Sequence, residues 1–195
     1  PMTTEAALSF EHPKTGERVN VIDPSRRYYY GNSQGAILGG AYIALSQDFE
    51  RAALGVGGTP YSLLLHRSAD FTTFFIIFQT MYPDPAQVTL WLGLMQALWD
   101  SGETSGYATV TTADPLPDTP AKDVLLQVAI GDKQVTTLGA HMHARALGAS
   151  LIDPTVREVW GLQSAATVSE GSALVEWEYG LEEPVLNLPP TGEDP

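Results

Sequence analysis

The chain has no cysteine, so disulfides and thiol chemistry are excluded. It has no apolar run of the ~18 residues that a membrane-crossing helix needs. Basic residues are scarce: 10 Lys and Arg stand against 23 Asp and Glu, for a net charge of −13. That argues against nucleic acid or an anionic membrane as a partner, because both need a basic surface. The shortage is regional. Ser68 to Ala121 holds six acids and no Lys or Arg, and the stretch after Arg157 holds eight acids and none. The simplest reading is a solvated acidic surface. Histidine is scarce too, with four in the chain and none beyond His143.

What is present suffices for one domain. A chain of 195 residues with 44% hydrophobic and 17% charged residues has the make-up of an ordinary globular core and surface. Its organising stretch is Tyr28-Tyr29-Tyr30-Gly31-Asn32-Ser33-Gln34-Gly35. Three tyrosines read as a short buried strand. The apolar residues Ala36, Ile37, Leu38, Ala41, Ile43, Ala44 and Leu45 read as a helix running to about Ser46. A serine on a tight turn between strand and helix has the context of a nucleophile elbow, which the bare Gly-x-Ser-x-Gly pattern alone does not supply. In such a turn the backbone at Ser33 is strained. The residues two before and two after it approach closely, so Gly31 and Gly35 avoid a Cβ clash. The N–H of Gln34 is then placed to help hold an oxyanion. Gly39 and Gly40, poor helix formers, suggest close packing of this helix on its sheet.

Here the chain resembles the α/β-hydrolase family of serine esterases and lipases. The resemblance rests first on Tyr-Tyr-Tyr-Gly-Asn-Ser-Gln-Gly and extends along most of the chain. It implies an α/β fold: a doubly wound, mostly parallel sheet of the α/β-hydrolase type. It implies one domain over 1–195, incomplete at both ends, with a helical cap-like insertion at about 61–100. Ser33 would be the nucleophile and Gln34 an oxyanion-hole residue. No metal or organic cofactor is implied, and the resemblance favours a secreted or periplasmic setting.

Other segments fit around the elbow. Thr4 to Leu8 could form a short helix, and Glu11 to Asn20 reads as loop or hairpin. Arg51 to Gly58 reads as a buried parallel strand, which gives a right-handed crossover around the elbow helix. Tyr61 to Trp99 reads as apolar helices punctuated by Pro83 and Pro85. They either cap the active site, favouring an apolar acyl or aromatic group there, or simply pack on the body of the domain. Gly102 to Pro120 reads as loop. Asp123 to Ile130 reads as a buried strand ending in Gly131-Asp132. By the resemblance Asp132 is the triad acid, which orients an imidazole; the plain alternative is an N-cap for a helix over Val135 to Leu147. Val156 to Leu162 reads as a last core strand. Ala173 to Tyr179 alternates apolar and acidic residues, as an edge strand with one wet face would. Glu182 to Pro195 reads as extended.

The expected base is missing. The family order is Ser, acid, His, and the histidine should follow the last strand. His12, His66, His141 and His143 all precede that point. Only 26 residues precede Arg27, fewer than the earlier strands and second oxyanion loop require. The expectation is a C-terminal catalytic half whose partner, a second chain or a further segment, supplies the base and covers the sheet. Its substrate would be a small, apolar ester. The alternative is a non-catalytic α/β-hydrolase relative, a binding or assembly module that keeps the elbow as a fold feature.

Overall fold

The computed structural model describes residues 8–23 and 25–182. The possible helix at the N-terminus (residues 4–7 of it) and the tail over 183–195 lie outside them. The described chain begins with an antiparallel hairpin, β1 (Ser9–Glu11) and β2 (Arg18–Asn20).

A six-stranded sheet follows. Its strands are β3 (Tyr29–Asn32), β4 (Arg51–Gly55), β5 (Asp123–Ala129), β6 (Ser150–Ile152), β7 (Ser164–Ala165) and β8 (Ala173–Trp177). Their spatial order is β3-β4-β5-β8-β6-β7, and every pairing is parallel. Parallel neighbours need crossovers, and helices supply them. The elbow helix is split into α1 (Gln34–Ile37) and α2 (Gly39–Leu45). Between β4 and β5 run α3 (Tyr61–Arg67), α4 (Thr72–Met81), α5 (Pro85–Trp99) and α6 (Ala108–Thr112). The last helix is α7 (Thr137–Ala146). A mostly parallel sheet with flanking helices makes this an α/β fold.

The core lies on one face of the sheet. Leu54, Val124, Leu126, Val128 and Leu174 are buried there against Ala36, Ile43, Ala140 and Ala144 of α1, α2 and α7. The register puts Tyr30, Ala53, Leu125, Gln127, Val175 and Trp177 on the other face. These are half-buried or exposed, Tyr30 at 66% and Trp177 at 51%; Ala173 on the same face is buried, and none of them joins a core cluster. Parallel sheets are ordinarily covered on both faces. Among the described residues this one is covered on one, with β3 at an edge.

Several expectations change. Tyr28 and Tyr30 are exposed, because β3 is an edge strand; Tyr29 alone of the three turns inward, onto Phe49 and Tyr42. The elbow helix breaks at Leu38, where the Thr104 hydroxyl donates to the carbonyl of Ile37. Residues 102–120 contain α6 as well as loop, since the buried Thr104 and Thr111 pack on the elbow helix and override weak propensity. Val156 to Leu162 is not a strand. Gly161 sits at φ +80° there, a turn conformation, and the strands are β6 and β7 on either side. The strand expected at the edge, β8, is interior, between β5 and β6. Asp132 does not cap the following helix: Thr136 does, its hydroxyl accepting from the N–H of Leu138.

Candidate active site

Ser33 follows directly on β3. Its backbone adopts φ 53° and ψ −120°, a region that L-residues avoid at a cost of order 1–3 kcal/mol. The turn is held from three sides. The N–H of Ser33 donates to the carbonyl of Gly55 at the end of β4 (2.9 Å), and its own carbonyl accepts from Ala36 and Ile37. The Tyr29 hydroxyl donates to the carbonyl of Gly35 (2.7 Å). A Cβ on Gly31 would overlap that same carbonyl, so only glycine closes the turn at that position. Gly35 differs: a Cβ there meets nothing nearer than the Tyr29 hydroxyl at 3.9 Å. The expected clash therefore exists at Gly31 and not at Gly35. Gly39 lies against Tyr29 and Leu54, which is the sheet contact its presence suggested, whereas Gly40 makes room for Thr104.

A second strained residue stands beside the first. Val56, at the end of the adjacent strand, has φ +46°, and its N–H donates to Gln127 on β5 (2.8 Å). A β-branched residue at positive φ is a marked outlier. Strain thus collects at the carboxyl ends of β3 and β4, the rim where open parallel sheets bind ligands.

Ser33 and Gln34 open into a cavity of about 150 Å³. Leu64 and Leu65 of α3, Phe71 just ahead of α4, Phe74 within α4, and the Gln134–Val135 turn form its walls. An adjoining apolar cavity of about 260 Å³ reaches between α4 and α5 to Met81, Met95 and Trp99. The two share Leu65, Phe71 and Phe74 as walls. The helices over 61–99 therefore border the Ser33 cavity directly.

Asp132 is held just behind this wall. Its Oδ1 accepts from the N–H groups of Gln134 (2.8 Å) and Val135 (3.0 Å), which orders the wall turn. The turn in turn grips the start of the helical block. The carbonyl of Lys133 accepts from Ala69 (2.8 Å), and the Gln134 amide donates to both carboxylate oxygens of Asp70 (3.1 Å each). Gly131, at φ +85°, lets Leu181 and Glu182 pass directly over the residue before Asp132. The strand-end position of Asp132 was readable in the sequence. The Gln134–Asp70 clasp was not, since its partners are 64 residues apart.

None of the four histidines lines the Ser33 cavity. His12 accepts from the N–H of Lys14 at the hairpin turn. His66 packs on Phe75, and burial, with the charge of Arg67 adding, lowers its pKa. His141 donates from Nε2 to Glu176 Oε1 (2.8 Å). His143 is buried without a partner for its Nε2, and burial lowers its pKa to about 4. No group of three or more His, Cys, Asp or Glu among the described residues is arranged to hold a metal ion. No described helix is long and apolar enough to cross a membrane. No family model, curated protein or solved structure matches the chain.

Proposed function

We propose that this protein is a serine hydrolase acting on carboxylic esters through an acyl-enzyme at Ser33. The observation that carries the reading is the strained backbone of Ser33 on a strand–turn–helix, opening into a cavity with an apolar annex. A structure maintains such strain at a ligand-facing serine when the position of its hydroxyl matters. In the reaction, Ser33 Oγ attacks the ester carbonyl while a base takes its proton. The N–H of Gln34 stabilises the resulting oxyanion, the alcohol leaves with the proton, and water repeats the sequence to free the acid. The annex suits an apolar acyl or aryl group.

The base comes from outside the described residues. Leu181 and Glu182, beyond β8, pass over Gly131, next to Asp132. Asp132 then orients that base. The half-covered sheet and the open β3 edge fit a partner, a second chain or further segment of the hydrolase, that covers both and completes the oxyanion hole.

The test is ester hydrolysis by Asp132→Asn and Ser33→Ala. Asparagine keeps the oxygen that holds the Gln134–Val135 turn, so the fold and melting point should stay near native. Turnover should fall about 10⁴-fold if Asp132 orients a base. Unchanged turnover in either variant would contradict the assignment. A non-catalytic relative would show no Ser33-dependent turnover at all.

A further inference from the structure

A second cavity, of about 440 Å³, lies along α7, between that helix and the 157–160 loop. The sequence order of strands is interrupted here: α7 carries the chain from β5 past one sheet position to β6, and β8 later fills it. β8 pairs with β6 only through Ala173 and Leu174, so the two strands are unpaired toward their carboxyl ends.

A buried charge, Glu176, stands behind its wall and bonds two of its lining residues. The Glu176 side chain is 1% exposed. It accepts from Arg157 twice, Nε to Oε2 (3.0 Å) and Nη2 to Oε1 (2.9 Å), and from His141. Burial alone would raise its pKa, but the bonds from His141 and Arg157 outweigh that and hold it below the ordinary value. Glu176 thereby fixes the side chains of Arg157 and His141 in the cavity wall. Arg145 is fixed as well. Its guanidinium lies over the Trp160 ring (5.3 Å), Nη1 donates to the Trp160 carbonyl (3.2 Å), and its stem fills the space that a Cβ on Gly161 would need. Trp160 itself is 80% exposed, the most exposed large apolar residue among the described ones. Leu138 and Val159 supply an apolar floor. Two of the ten Lys and Arg of an acidic chain thus meet a histidine, one carboxylate, Glu158, and an indole in one cavity, Arg145 lying over one side of the indole ring.

We propose that this cavity is a second ligand site, separate from Ser33, that takes a small aromatic carboxylate. The ring packs on Trp160 and the apolar floor, and the carboxylate pairs with Arg145. Guanidinium recognises carboxylate in a planar fork, and indole offers a stacking face at little entropic expense. A cavity of this size accommodates a two-ring ligand.

The test is calorimetric titration of the whole chain with 2-naphthoate, 2-naphthamide and inorganic phosphate. Saturable 2-naphthoate binding is expected, at least tenfold tighter than that of 2-naphthamide and weakened at least tenfold by Arg145→Gln and by Trp160→Ala. Both substitutions are at the surface and leave the Glu176 bonds intact, and circular dichroism checks that the variants stay folded. Ser33→Ala should bind as the native chain does, so the outcome is read independently of the ester reaction. Absence of saturable 2-naphthoate binding at millimolar concentration would overturn the proposal. So would equal binding of the amide, binding unaffected by Arg145→Gln, binding lost in Ser33→Ala, or phosphate binding as tightly as the naphthoate.

Discussion

At the scale of single residues, the elbow depends on one glycine more than the motif suggests. Gly31 and Gly35 look equivalent in Gly-x-Ser-x-Gly, but the chain folds so that only Gly31 faces a backbone carbonyl. Gly31→Ala should therefore destabilise by several kcal/mol, since the atom in the way is backbone and has nowhere to move. Gly35→Ala should be neutral or stabilise by up to ~1 kcal/mol, because Gly35 lies within a helix and the space beside it is open. Thermal melts of the two variants decide this, and equal losses would refute it. The asymmetry was not legible in the sequence, because the motif states spacing and not which way each Cα points.

At the scale of elements, a buried carboxylate docks the helical block on the body. Glu103 is 2% exposed. It accepts from the Thr59 hydroxyl (3.1 Å), the N–H of Ser105 (2.9 Å), the N–H of Tyr61 (3.4 Å) and the amide of Gln96. Gln96 reaches back to accept from the N–H of Ser62 (2.9 Å). The loop after β4, the start of α3 and the end of α5 are tied at one point. Glu103→Ala would leave those donors unpaired in a buried place, at roughly 1–3 kcal/mol each where water does not enter. A drop in melting temperature of 10 °C or more is expected, and a drop under 2 °C would count against the account. The helices of this block were legible from their apolar runs, as were β4, β5 and α7. β8 was misread for a physical reason. Alternating Val, Glu, Trp and Glu looks like a wet edge, but the charge at Glu176 is met by Arg157 and His141, partners 19 and 35 residues away that no local pattern contains. The 156–162 segment failed in the opposite sense. Val159 enters the core from a loop, with Leu162 packed against it, while Val156 and Trp160 stay exposed, and strand pairing falls to the short segments on either side.

At the scale of the whole molecule, acid should unfold the chain through His143. Its pKa in the fold is about 4, below the 6.5 of the free side chain, so between those values the unfolded state binds more protons. Stability is then full above pH 6.5 and is lost as pH falls toward 4, by roughly 3 kcal/mol in all. Below pH 4 this contribution flattens. Denaturant midpoints from pH 7 to 4 should show the slope, and His143→Leu should reduce it; an unchanged slope in that variant would refute the assignment. The half-covered sheet belongs to this scale too. The proposed partner rests on it, and the proposed base on the rim position of Ser33 and Asp132.

The central claim is that Ser33 is an activated nucleophile, and the most direct measurement is covalent. The protein, isolated from its source together with whatever binds the open sheet face, is treated with a fluorophosphonate and the adduct located by peptide mass spectrometry. The account predicts a single phosphonyl adduct on Ser33, absent in Ser33→Ala and slowed in Asp132→Asn. An adduct on another residue, or none on Ser33 when the partner is present, would contradict it.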